Sequence, residues 1–329
     1  MDSAEESGES ERVKIVVPGD DPPQVAGSPA LERLADWGEV IVHRDRPKNE
    51  EEKLARVRDA RVILNSRSAI TWREPEFAQL PKLGLIATCS VGTDAIDLAA
   101  AKARGIVVSN QPGVNAPFVA EHMFGLMFAV AKQSALQTAA LKSGRWLLPT
   151  NAMLQGKRLG IVGTGAIGAE MARLGRAVGM ETVAWTYNPS PERARELGVE
   201  FLSLDELLES SDVVSLHVRL SPDSAGLIGK AQLARMKSTA ILLNGARADV
   251  VDNAALVEAL QSGRLFGAGI DVFSPEPMSA DDPILSCDNV VLTPHAADQT
   301  PEAVVATNEA AVDNIIAFLE GRPRVNAAG

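Results

Sequence analysis

The sequence predicts an α/β protein of two modules, each a parallel sheet covered by helices on both faces. Three observations carry that prediction. Short apolar, β-branched runs alternate with stretches of helical spacing, the pattern of strands buried on both sides. The alternation occurs twice, with a break near Asn110-Gln111. At roughly 150 residues per domain, a chain of 329 residues has room for two cores.

In the first series, strands are expected at residues 13–17, 40–42, 61–64, 83–88 and 107–108. Pro18-Gly19 stops the first, and Pro112-Gly113 breaks the chain after the last. Helical spacing falls at 31–37, 50–57 and 97–103, the last stopped by Gly105. A long helix is then expected over 117–142, with Pro117 in its first turn and Ser143-Gly144 at its end. Its apolar positions run nearly all round, so it is expected to be buried between domains or between subunits of a homodimer. The second series predicts strands at 159–162, 182–185, 213–216, 240–243, 267–271 and 290–292. Helices fall between them at 167–178, 204–209, 230–236 and 253–262, and a last helix covers 301–320. Residues 1–11 are polar and acidic and read as a disordered tail.

Composition excludes several functions. The net charge of −11 leaves no basic surplus for a nucleic-acid backbone, though a local pocket can still hold a small anion. The longest apolar stretch, 123–131, is about half of what a bilayer crossing needs. The first residues lack the apolar run of a secretory leader. Only two cysteines are present, Cys89 and Cys287, which points to a reducing, cytoplasmic setting without disulfides. No His-x-x-x-His or Cys-x-x-Cys pair suggests a metal.

Chemistry begins at Gly163-Thr-Gly165-Ala-Ile-Gly168, placed between a predicted strand and a predicted helix. In that setting the first glycine makes the turn, the second lets backbone approach a pyrophosphate, and the third lets helix and strand close up. The N–H groups of Ala166 and Ile167 would face phosphate at the helix N-terminus. An acidic residue about 20 positions on would hold an adenosine ribose. Thr186 stands there instead, so a 2′-phosphate is not repelled. Arg193 and Arg219 are candidate partners for it, although Arg193 reads rather as a surface charge. NAD and NADP both remain open.

Three later strands each end in polar residues, at the sheet edge where open α/β sheets bind ligands. They bring Arg247, Glu276 and His295. An arginine that clamps a carboxylate, a histidine that exchanges a proton and a carboxylate that holds the imidazole form a site for a 2-oxo acid. Of the other histidines, His43 reads as surface, His122 as core or interface, and His217 as structural or part of an adenosine pocket.

These motifs resemble the D-isomer-specific 2-hydroxyacid dehydrogenases over nearly the whole chain, from Val13 to Pro323. The resemblance rests on the glycine motif, the turn 244–247, the Asp-Val-Phe-x-x-Glu-Pro stretch at 271–277 and Thr293-Pro294-His295. Arg247 and Glu276 lie 29 residues apart, and Glu276 and His295 lie 19 apart, as in the family's triad. The resemblance implies two Rossmann-like domains. A flavodoxin-like substrate domain would take residues 1–110 and 299–329, and an inserted dinucleotide-binding domain residues 111–298. It implies that the backbone of Val91 and Gly92, in the turn 90–94, meets the substrate carboxylate. It places Asn115 near substrate and cofactor and Asp271 near the nicotinamide, with a buried aspartate capping a helix as the other reading of Asp271, and it carries Arg67 and Ser68 into a loop lining the substrate pocket. The implied reaction reduces a small 2-oxo acid, such as glyoxylate or hydroxypyruvate, to the D-2-hydroxy acid. Relatives include transcriptional corepressors that sense dinucleotide and phosphite-oxidising enzymes, so these readings stand as alternatives. Ala248 departs from the glycine usual after the arginine, and Arg219 departs from an apolar residue. Trp72 and Trp146 read either as shapers of the pocket or as packing residues.

Overall fold

The computed structural model describes residues 12–322, and the expected acidic tail lies outside them. The described residues form two units: 12–115 with 300–322, and Ala116–Gln299.

The first unit runs β1 (Lys14–Val17), α1 (Pro29–Glu32), β2 (Glu39–Val42), α2 (Glu50–Val57), β3 (Val62–Asn65), α3 (Glu74–Phe77), β4 (Leu85–Thr88), α4 (Leu98–Ala103) and β5 (Val107–Ser109). Its strands lie in the order β2-β1-β3-β4-β5, and every pair is parallel. That is the flavodoxin-like order. Apolar residues on both faces, such as Ile15 and Val17 on one and Val16 and Ile63 on the other, build two cores. The helices start where a side chain accepts from an exposed backbone N–H: Ser28 for α1, Asn49 for α2 and Asp97 for α4. Trp72 is fully buried in this unit and packs in its core.

The second unit opens with α5 (Ala116–Ala131) and α6 (Ser134–Lys142). It continues through β6 (Arg158–Val162), α7 (Ala166–Ala177), β7 (Glu181–Trp185), α8 (Pro191–Leu197), β8 (Glu200–Phe201), α9 (Leu204–Ser210) and β9 (Val213–Leu216). It ends with α10 (Lys230–Arg235), β10 (Ile241–Asn244), α11 (Asn253–Gln261), β11 (Gly267–Ile270) and β12 (Val290–Leu292). The sheet order is β12-β11-β10-β9-β6-β7-β8, all parallel. Counted within the unit, this is the doubly wound order with one strand added at the far edge, and the chain reverses direction across the sheet between β6 and β9. The last helix, α12 (Pro301–Leu319), packs in the first unit, where Ala311, Val312 and Ile315 join the core beside β4.

Two expectations need correction. The helix expected over 117–142 is broken, because Gln133 takes a left-handed conformation with φ 48°. Lys132 and Gln133 turn outward and donate to the carbonyls of Ala152 and Thr150 on the returning chain. And α5 is not reserved for an interface. Met123, Leu126, Met127 and Val130 enter the second unit's own core against α7 and the sheet. The short elements α3, α8 and β8 were not expected from the sequence.

Candidate active site

In the second unit the glycine turn leaves β6 at the reversal of strand order. Gly163 has φ 98°, open to glycine at little cost, and a Cβ there would lie 2.8 Å from the His217 carbonyl and the Val218 N–H. A Cβ on Gly168 would strike the Gly163 carbonyl. Gly165 is different. Its φ is −66°, and a Cβ would meet no protein atom within 4 Å, so packing does not demand glycine there. It caps α7 with no side-chain hydrogen bond, which leaves the first helical N–H groups, those of Ala166 and Ile167, for an outside acceptor. The turn therefore fits the pyrophosphate of a dinucleotide.

Thr186 follows β7 and is half-buried. Arg193 is not a free surface charge: it donates to the Thr164 carbonyl inside the glycine turn at 2.8 Å and pairs with Glu196 at 3.0 Å. Arg219 is exposed beyond β9. His217 Nε2 lies 2.8 Å from Ser215 Oγ, and its Nδ1 is buried without a partner among the described residues. Burial pushes this imidazole down to about 3, so it stays neutral.

The three reactive candidates come from turns after β10, β11 and β12 of one sheet. The buried Asn244 closes the first turn: its side chain donates to the Arg247 carbonyl at 3.0 Å and accepts from the Ala246 N–H at 3.1 Å. Sequence reading missed this staple, whose signal is an amide at a strand end three residues before the arginine. A Cβ on Gly245 would lie 2.4 Å from Met123 Sδ of α5, so the buried methionine would have to shift. Arg247 is half-buried and donates to the Ala246 carbonyl at 2.8 Å. Ala248 sits in a 3₁₀ turn, Ala248–Val250, and its φ is not positive, so no glycine is needed there.

His295 Nδ1 lies 2.7 Å from Glu276 Oε2, and Glu276 Oε1 accepts from the Phe273 N–H at 2.9 Å. The hydrogen bond to Glu276 raises the His295 imidazole above its ordinary value, against desolvation and the repulsion of Arg247. Burial opposes ionisation of Glu276, but the bonds from His295 and Phe273 outweigh it and hold the carboxyl low. An imidazolium–carboxylate pair is therefore favoured, with Nε2 engaged by no described residue. Asp271 is 1% exposed and turned inward. It accepts from Thr293 Oγ1 at 2.5 Å and from the N–H groups of Ala296 and Ala297 at 2.9 and 3.1 Å. The turn that carries His295 is thus tied to the end of β11.

In the first unit, Val91 and Gly92 follow β4. Their carbonyls are held from within: Asn110 donates to Val91 at 2.7 Å, and Ser68 and Ser90 donate to Gly92 at 3.2 and 3.0 Å. No described residue accepts from the Val91 or Gly92 N–H. Arg67 and Ser68 both have positive φ, 52° and 51°, strain of a kind that concentrates at functional loops. Asn115 ends this unit, immediately before α5. Cys89 and Cys287 are free and buried. Among the described residues, no helix is long and apolar enough to cross a membrane.

Comparison with known proteins agrees with this fold. A family model described as D-isomer specific 2-hydroxyacid dehydrogenase, NAD binding domain, matches residues 124–297. A glyoxylate reductase of Korarchaeum cryptofilum is 42% identical over 251 residues, 74% of this chain and 76% of that protein. A D-3-phosphoglycerate dehydrogenase of Archaeoglobus fulgidus is 39% identical over 269 residues, 81% of this chain, which spans only 50% of that longer protein. The solved structure of an NADPH-dependent glyoxylate/hydroxypyruvate reductase from Sinorhizobium meliloti, in complex with NADP and malonate, superimposes with TM-score 0.82 at 29% identity, covering 97% of both chains. The fold and site thus define an NAD(P)-dependent oxidoreductase acting on CH–OH groups. The chain belongs to the D-isomer-specific 2-hydroxyacid dehydrogenases.

Proposed function

We propose that this dehydrogenase reduces a small 2-oxo acid of the glyoxylate or hydroxypyruvate kind to the D-2-hydroxy acid, with His295 as the proton donor. The observation that carries this reading is the 2.7 Å pair of His295 and Glu276, which favours the charged imidazole and leaves Nε2 as the remaining donor. The second unit is the dinucleotide-binding domain in this reading and the first the substrate domain. The reduced nicotinamide, when bound, supplies hydride to the carbonyl carbon. Arg247 clamps the substrate carboxylate and polarises the carbonyl, while Val91, Gly92 and Asn115 of the first unit are carried as substrate-binding residues on the family resemblance alone. As the carbonyl oxygen gains charge, His295 Nε2–H gives it a proton, and Glu276 stabilises the imidazolium beforehand. In the reverse direction, neutral His295 takes the hydroxyl proton.

NADPH is accepted as well as NADH in this reading, because Thr186 offers no carboxylate and Arg193 stands at the turn. The chain acts as a homodimer in the cytoplasm. Trp146 and Leu148, 88% and 86% exposed beyond α6, are apolar surface a second copy would cover, and sedimentation at micromolar concentration reads this. The two free thiols suit a reducing compartment.

The test is oxidation of NADH and of NADPH, followed at the nicotinamide absorbance, with glyoxylate and hydroxypyruvate. Turnover is expected with the protein and a loss of about 100- to 10,000-fold with His295→Asn. Tight binding of both dinucleotides without turnover on any 2-oxo acid would sink the reading and favour a dinucleotide sensor.

A further inference from the structure

The helix α5 carries a histidine that the reaction outlined above does not use. His122 Nε2 lies 2.9 Å from Thr293 Oγ1 and 3.5 Å from Asp271 Oδ1, and its side chain is 24% exposed. Thr293 has one hydroxyl proton, which it gives to Asp271 at 2.5 Å. The Thr293 oxygen therefore accepts from His122, and Nε2 carries a proton. Asp271 in turn accepts from the N–H groups of Ala296 and Ala297, on the far side of His295. His295 itself sits at φ 52°, a left-handed backbone that a non-glycine residue adopts only when its surroundings impose it. The chain of donors runs from α5 through Thr293 to Asp271 and brackets both ends of the turn that presents His295.

We propose that His122 is a positioning residue: by donating to Thr293 it locks the Asp271-centred turn, and so fixes His295 against Glu276. Burial opposes ionisation of Asp271, yet the hydrogen bonds from Thr293 and Ala296 and the nearby His122 together hold its carboxyl below the usual range, as a fully engaged acceptor requires. The charged groups facing His295 are Glu276, Arg247 and Asp271. Without the His122 donor, Thr293 is released, the turn relaxes, and the grip of Glu276 on the imidazole weakens.

This inference rests on the proposed reaction for its kinetic consequence but not for its structural one, and the experiment separates the two. Imidazole resonances of a protein with only four histidines are titrated by NMR, with His295 assigned through His295→Asn. In His122→Leu the His295 midpoint should fall toward the ordinary histidine value. His122→Gln, whose amide N–H can reach Thr293, should restore most of the wild-type midpoint. With a 2-oxo acid substrate, kcat should drop roughly 10- to 100-fold in His122→Leu with KM changed far less, as for a misplaced reactive group. The upper limb of the pH profile should move down with the NMR midpoint. If His122→Leu does not fold, Thr293→Val breaks the same link and should lower the same midpoint. A His295 midpoint unchanged in a cooperatively folded His122→Leu or Thr293→Val protein overturns the proposal, whether or not any 2-oxo acid is reduced.

Discussion

Two turns of the second unit solve the same backbone problem in opposite ways. The turn after β6 needs a positive φ at Gly163 and obtains it by having no side chain. The turn after β12 needs a positive φ at His295, where a side chain is indispensable, and obtains it by bonding. Asp271, Thr293 and the amides of Ala296 and Ala297 hold a conformation that costs about 1–3 kcal/mol for a non-glycine residue. The first turn offers backbone N–H groups rather than a side chain, and at Gly163 and Gly168 it has no room for added atoms. The second presents one imidazole, so it depends on partners spread over three segments of chain.

The largest expected effect breaks the second turn's chemistry while leaving its backbone alone. Glu276→Gln removes the charge that raises His295. In the proposed reaction, reduction needs His295 protonated, so wild-type kcat/KM should fall as pH rises through the raised His295 value, and oxidation should rise through the same value. In Glu276→Gln the reductive limb should move to lower pH, with kcat near neutrality down roughly 100-fold. An unmoved limb in a pH–rate profile would count against the pair. On the first turn, two alanine substitutions should part company. Gly168→Ala forces a Cβ into the Gly163 carbonyl and should destabilise by about 1–3 kcal/mol in denaturant melts. Gly165→Ala meets no protein atom, so the melt should hardly change while dinucleotide affinity, read by fluorescence of the reduced cofactor, falls about tenfold. Equal effects of the two on stability would show that the turn is mere packing. The smallest effect is Arg193→Ala, which should lower kcat/KM for NADPH relative to NADH by about tenfold, the order of one charge-assisted hydrogen bond.

The same contrast explains what the sequence disclosed. The strands were legible because burial on both faces writes them as short apolar runs, and both sheets follow from their alternation with helices. Gly163, Gly165 and Gly168 were legible because a backbone grip depends on residues that lie together in sequence. The pairing of Glu276 with His295 was legible only through their order and spacing. The roles of Asn244 and His122 were not, and Asp271 stood undecided between a buried, capping role and a nicotinamide contact, since an amide, an imidazole and a carboxylate can each serve many roles. Their partners lie 3, 171 and 25 residues away. The break at Gln133 was hidden by apolar residues that continue on both sides of it, and α3, α8 and β8 are too short to show a period.

Consecutive residues of α5 touch two of these turns: Met123 presses on Gly245, two residues before Arg247, and His122 holds Thr293, two residues before His295. The arginine turn and the histidine turn are thereby referenced to a common ruler. A displacement of the helix carries both in the same direction, and thermal jostling changes their separation less than it changes the place of either one. Tolerance in such a device belongs to the gap between two parts, and one buried turn of helix sets it.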